Sequence, residues 1–180
     1  MAERTVARRA AESRATVPHL ELTVDTTGGK GVTTGRLVEA CAFALRGHPR
    51  ANAAYRDGRF ELYSRVNVGV VLTDGDRYLI PTIFDADTKP ASELENEIET
   101  LSGDVGGLAS SAFAGATFTL WHAARHDLAA ASIPVVPAQA AALAAGRRSL
   151  TLTCDHRILY GARAAAFLTA VKARLERSAP

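Results

Sequence analysis

The stretch LTCDHRILYGARAAAFL, residues 152–168, alternates apolar and polar residues and then repeats apolar residues at helical spacing, with Gly161 at the change. His156 therefore stands where a strand ends. A strand end is held by its sheet while its side chain faces a cleft, and a neutral imidazole there takes a proton from a hydroxyl or thiol and later returns it. A hydrogen-bonded histidine that closes a strand has the same local pattern, so His156 alone leaves both readings open. Cys154, two residues earlier, shares a strand face with His156, as a thiolate–imidazole pair or half a metal site would. No third ligand or orienting acid has recognisable spacing, so Cys154 and Cys41 read as buried thiols. His122 and His126 are four apart, the spacing of metal ligands on one helical face. Their strand-to-loop setting lacks an H-E-x-x-H pattern, so no metal is expected. Asp85 and Asp87 suggest either a metal or acid–base pair or a polar turn capping the next helix, and the turn is the expectation.

These side chains need a framework, and the composition bounds it. With 180 residues, a net charge of +2 and 47% hydrophobic residues, the chain reads as one soluble domain, 1–180, with a basic N-terminal arm over 1–15. So small a charge excess gives no support to nucleic-acid binding. No apolar run would span a membrane and MAERTVARRAAESRA lacks a signal-peptide core, which leads to the expectation of a cytoplasmic protein. A helix over about 4–14 precedes a strand at 17–24, in which His19 is structural. DTTGGKG reads as a turn, without the spacing of a phosphate-binding loop. Thr33 or Thr34 caps a helix ending near Gly47, Asp57-Gly58 turns a hairpin, and 66–87 reads as two strands joined around Thr73, Asp74, Gly75 and Asp76. PASELENEIETLSG is a helix with Pro90 at its start and Gly103 after its end; residues 103–114 form a small-residue loop.

The octet CDHRILYG resembles the D-H-R-x-x-D-G signature of the dihydrolipoamide acyltransferases, the catalytic cores of 2-oxo acid dehydrogenase complexes, which share a fold with chloramphenicol acetyltransferase. ARAAAFLTAVKARLE looks like that family's last helix, and VARRAAESRATVPHLELTV is similar to the segment opening its core. HPRANA resembles H-P-x-x-N-A, with Asn52 structural near a helix end. Asn67, Gly69, Pro81, Asp85, Ala86 and Asp87 agree with the family's N-I-G-V-A-V to V-P-V-I-x-D-A-D passage. Thr117, Phe118, Thr119, Pro137 and Gln139 agree with its T-F-T-I-S-N-L-G to P-P-Q passage. The resemblance implies an α/β, two-layer chloramphenicol acetyltransferase-like fold, a mixed sheet with helices on one face. It also implies a homotrimer with His156 of one chain, as general base, facing the Trp121 region of the next.

The departures from the pattern fall near the chemistry. Trp121 stands where the family has the serine whose hydroxyl meets the tetrahedral oxyanion, and His122 replaces the following asparagine. The indole N–H of Trp121, or the hydroxyl of Thr119 on the same strand face, is then the expected oxyanion donor, or Trp121 fills core or lines an acyl pocket. Tyr160 replaces the aspartate of the signature. The site expected from the resemblance is thus His156, Tyr160, Trp121 and Thr119 for catalysis, with Trp121, His122, Asp155 and Arg157 touching substrate. Against the family pattern the chain is trimmed at DTTGGKG and again after Gly146, and the expectation is a core without a lipoyl or peripheral subunit-binding domain before it. These features suggest a free-standing acyltransferase similar to those of tetronate antibiotic pathways, moving an acetyl or short acyl group from acetyl-CoA to a hydroxyl of a small-molecule or carrier-bound acceptor. The alternatives are a catalytically impaired trimeric scaffold, or a core subunit using a lipoyl domain supplied in trans.

Overall fold

The computed structural model describes residues 2–26, 31–74, 77–103 and 107–177. In chain order its elements are α1 (Ala2–Thr16), β1 (His19–Asp25), α2 (Thr34–Gly47), β2 (Ala53–Arg56), β3 (Arg59–Leu62), β4 (Val68–Val70), β5 (Leu72–Asp74) and β6 (Arg77–Leu79). There follow β7 (Thr82–Ile83), α3 (Ala91–Gly103), β8 (Phe118–Trp121), β9 (Ala141–Ala145), β10 (Ser149–Asp155) and α4 (Gly161–Glu176). Six strands form one sheet in the order β1-β10-β9-β8-β4-β7. β8 runs parallel to β4 and to β9, while the β1–β10, β10–β9 and β4–β7 pairs are antiparallel, so the sheet is mixed. Among the described residues no helix is long and apolar enough to cross a membrane.

The core lies between this sheet and α2, α3 and α4. Leu150, Leu152 and Cys154 of β10, Leu143 of β9, Phe118 and Leu120 of β8, and Val68 and Val70 of β4 join Leu37, Val38, Cys41 and Leu45 of α2 and Phe167, Leu168 and Val171 of α4. Each such leucine or phenylalanine contributes about 1.5–3 kcal/mol by leaving water. The alternation that sends Phe118 and Leu120 into this core sends Thr119 and Trp121 to the opposite face, where Trp121 packs with Val71, Ile133 and Ala142. α1 stands apart from the three core helices, against β6 and Val135.

Local signals explain much of this. Thr33 caps α2 by accepting from the Arg36 amide at 3.2 Å. Asp57 and Gly58 both have positive φ, +50° and +81°, as the two-residue turn between β2 and β3 requires. Asn52 is buried past a 3-10 turn, its Nδ2 donating to the carbonyls of Tyr63 and Arg65. Ser13 Oγ donates to the Val135 carbonyl and so receives from His19 Nε2 at 3.1 Å, which gives His19 a structural task.

Several expectations are corrected. The 66–87 passage forms four short strands instead of two: β4 and β7 belong to the main sheet, and β5 and β6 make a separate ribbon. The break falls at Pro81, which has no amide to give the ladder, although its carbonyl accepts from Val70. Gly75 and Asp76 of the turn between β5 and β6, and residues 27–30 of DTTGGKG, lie outside the described residues. Asp85 and Asp87 do not cap α3: Asp85 pairs with Arg65 and Asp87 with Arg46. Gly103 is the last residue of α3 and not the one after it. AALAA, which no local pattern marks as extended, is the buried strand β9.

Candidate functional site

β10 ends at Asp155, and the turn that follows carries His156. The His156 amide donates to the Pro18 carbonyl at 2.9 Å, and the amides of Ile158 and Leu159 both donate to the Asp155 carbonyl. Asp155 is only 2% exposed. Its Oδ1 accepts from the Arg157 amide at 3.0 Å and from Arg157 Nε at 2.9 Å, and its Oδ2 accepts from Nη2 at 2.6 Å. The Arg157 guanidinium also lies over the Tyr55 ring, 4.1 Å from its centroid. Residues 155 and 157 are thereby locked to each other and to the sheet, while the His156 ring between them is left exposed. Tyr160 meets that ring edge-on, with centroids 6.1 Å apart and planes at 85°. The signature thus builds an imidazole at the surface on a turn that cannot easily move.

Cys154 takes no part in this arrangement. Its thiol points into the core and donates to the Leu159 carbonyl, and burial, with the nearby Asp155 carboxylate, pushes its pKa up to about 12. It stays protonated and is no partner for His156.

At the end of β8 the expected oxyanion donors have different states. The Thr119 hydroxyl donates to Gln139 Oε1 at 2.7 Å, and Gln139 Nε2 donates to the Ala116 carbonyl, which fixes the amide's orientation. The Thr119 proton is therefore committed, and with this pair in place Thr119 does not donate to an oxyanion. The indole of Trp121 is packed among Tyr78, Ile80 and Ile133, and its Nε1 is buried without a hydrogen-bond partner among the described residues. A buried N–H left unpaired costs roughly 1–3 kcal/mol, so Trp121 both fills core and carries an unused donor. Beside it, a mainly apolar cavity of about 470 Å³ opens between α1, β6 and residues 133–137, with Thr119, Tyr78, Ile80, Phe113 and Val135 in its wall. Burial pushes the Tyr78 phenol up from its ordinary pKa. No local signal set Tyr78 apart in the sequence, because its relation to Trp121 arises from the β5–β6 ribbon folding over β8.

His122 and His126 do not lie along one α-helix, because Ala123–His126 is a 3-10 turn, but both line one polar cavity. His122 is buried and its Nδ1 lies 3.0 Å from the Thr34 hydroxyl, whereas His126 turns toward Thr73.

The sheet register separates the two halves of the expected site. Trp121 pairs with Ala144, and Ala144 with Thr151. His156 lies five residues beyond Thr151 on a strand antiparallel to β8, so the two side chains leave the sheet at opposite ends. At about 3.3 Å per residue and about 4.8 Å per strand spacing, their Cα atoms are about 19 Å apart. One copy of the chain does not bring His156 to Trp121.

Comparison with known proteins adds four findings. The family described as 2-oxoacid dehydrogenases acyltransferase (catalytic domain) matches residues 23–149 and 128–179. The chain is 29% identical over 214 residues to dihydrolipoyllysine-residue acetyltransferase component 2 of the mitochondrial pyruvate dehydrogenase complex of Arabidopsis thaliana; the match covers 96% of this chain but 40% of that protein. Among solved structures, a probable dihydrolipoamide acetyltransferase from Listeria monocytogenes superposes with a TM-score of 0.89 at 25% identity, covering 97% of this chain and 91% of that one. A chloramphenicol acetyltransferase shares the fold at a TM-score of 0.64 and 16% identity, covering 93% and 94%. The mixed α/β fold that the resemblance implied is thus the one observed.

Proposed function

The chain belongs to the 2-oxoacid dehydrogenase acyltransferase (catalytic domain) family, and from that premise we propose that it transfers an acetyl group between CoA and a dihydrolipoyl thiol, with His156 as general base. The observation that carries this reading is the exposed imidazole of His156 on the turn locked by Asp155 and Arg157. His156 takes the proton of the acceptor thiol, and the sulfur attacks the thioester carbonyl. The tetrahedral intermediate collapses with cleavage of the bond between the carbonyl carbon and the CoA sulfur, and the imidazolium returns its proton to that sulfur. Asp155 and Arg157, for which substrate contact was the expectation, hold the turn because they are occupied by each other. Tyr160 steadies the imidazole edge and offers one phenolic hydrogen bond beside it.

The site is completed by a second copy of the chain. The separation of His156 and Trp121 across the sheet supports a cyclic oligomer, a trimer in our reading, in which the His156 end of one subunit meets the β8 end of the next. The apolar cavity beside Trp121 has the size and lining to take the arm of a thioester. The lipoyl group would arrive on a lipoyl domain, whether in the same protein or on another chain.

A second reading is a hydroxyl acceptor, as in tetronate formation. It is favoured only by Trp121 and Tyr160, which replace the family's serine and aspartate; the relatives that match are acetyltransferases named for a dihydrolipoyl lysine. Acetyl-CoA incubated with a reduced lipoyl domain and, separately, with a panel of hydroxymethyl acceptors, using wild type and His156→Ala, tests both. S-acetylation by the wild type alone upholds the main reading, and O-acetylation alone upholds the second. No transfer in either arm overturns both and leaves a structural subunit of an assembly.

A further inference from the structure

We propose that a polar cavity at the start of α2, which the acyl-transfer mechanism does not use, is a binding site for a phosphate group. The cavity measures about 230 Å³ and brings together Thr34 of α2, Thr73 of β5, Ser102 of α3, and His122, Arg125 and His126 beyond β8. Four separate parts of the chain therefore converge on it, as expected of a fixed site.

The hydrogen bonds determine what the cavity offers. Thr34 is 1% exposed, and its hydroxyl oxygen has two partners, Arg125 Nη1 at 3.2 Å and His122 Nδ1 at 3.0 Å. A guanidinium only donates, so among the described residues the one acceptor beside the Thr34 hydroxyl proton is His122 Nδ1, and the tautomer with Nδ1 accepting satisfies both groups. His122 is itself 7% exposed and is held neutral, its pKa lowered to about 4 first by burial and then by Arg125. A neutral ring whose Nδ1 accepts carries its proton on Nε2. That N–H has no partner among the described residues. Ser102 Oγ donates to the Ile98 carbonyl and presents only lone pairs, and among the described residues His122 Nε2 and the remaining N–H groups of Arg125 are unused donors.

The charges facing the cavity agree with an anion. Arg125 supplies the formal positive charge, and His126 adds a second imidazole. Among the described residues the acid acting on His122 is Glu95 of α3, whose carboxylate accepts from the Gly35 amide in the first turn of α2. Arginine's planar fork matches the oxygens of a phosphate, and at about 30 Å³ per water the volume exceeds that of one or two ordered waters several-fold. A phosphate monoester with a few attached carbons fits. The source of the phosphate is either free phosphate or the phosphate of a nucleotide-bearing thioester such as CoA.

The test is binding, independent of turnover. Inorganic phosphate is titrated at constant ionic strength, with chloride as the balancing anion, while the imidazole resonances of His122 are followed by NMR in wild type, Arg125→Gln and Arg59→Gln. Saturable shifts at His122, weakened about tenfold or more in Arg125→Gln and unchanged in the exposed β3 control, are expected. Absence of saturation, or equal affinity in Arg125→Gln, overturns the proposal. Competition then allots the source: displacement by CoA but not by dephospho-CoA identifies the 3′-phosphate of CoA, and displacement by neither identifies a separate phosphate ligand. Loss of acyl transfer with phosphate binding intact would sink the proposed function and leave this site standing.

Discussion

The lock around His156 makes an asymmetric prediction. Asp155 is 2% exposed at its side chain, whereas the Arg157 side chain is 34% exposed. Arg157→Ala strands a buried carboxylate whose only remaining hydrogen-bond partner among the described residues is the backbone amide of residue 157. Breaking a buried pair from one side costs roughly 3–5 kcal/mol, and discounting for the partly solvated guanidinium brings this to about 2–3 kcal/mol. Asp155→Ala leaves an arginine that can turn into water, so its cost is about 1–2 kcal/mol, and it comes mainly from the lost turn hydrogen bonds. The double variant carries no stranded charge and should be less destabilised than Arg157→Ala alone. Urea denaturation followed by circular dichroism reads all three. With a slope of about 2–3 kcal/mol/M, the midpoint of Arg157→Ala should fall by about 1 M. Its acyl-transfer rate should fall by about tenfold or more as the turn carrying His156 loosens. An Arg157→Ala midpoint within about 0.2 M of that of Asp155→Ala would refute the reasoning.

Two further predictions concern the separated site and the buried histidine. If His156 and the β8 end act across a subunit interface, His156→Ala and Trp121→Ala proteins, each inactive, should regain about one quarter of wild-type activity when unfolded together and reassembled at equal ratio, because each interface is intact with a chance of about one half times one half. Activity no greater than the mean of the parents would place the whole site in one chain, and Ile133→Trp, which fills the neighbouring cavity, serves if Trp121→Ala does not fold. For His122, the folded pKa of about 4 lies below the unfolded value of 6.5. The contribution is fully present above pH 6.5 and is lost as pH falls toward 4, by about 2–3 kcal/mol, since the unfolded chain takes the proton first. Thermal unfolding of wild type should therefore lose stability from pH 6.5 to 4.5 more steeply than His122→Gln, and parallel curves would count against the assignment.

What the sequence determined was local. The change of period at 152–168, the Thr33 cap, and Asp57-Gly58 each act within a few residues, so the strand–turn–helix that carries His156, the start of α2 and the β2–β3 hairpin were legible from spacing and turn chemistry. The family pattern was legible too, because the Asp155–Arg157 pair and the amides of Ile158 and Leu159, which donate to the Asp155 carbonyl, form a turn within a few residues.

The tertiary structure decided what depends on distant partners. AALAA is strand β9 although alanine favours helix, because β8 and β10 pair with its backbone on both sides. Asp85 and Asp87 found arginines on other segments, Thr119 found Gln139, and Thr34 found His122, none of which any periodicity encodes. The pairing register, not the presence of His156 and Trp121, put those two residues at opposite ends of the sheet. Side-chain chemistry is written residue by residue, but which groups meet is set by long-range strand pairing and burial, and these act only once the whole chain has packed.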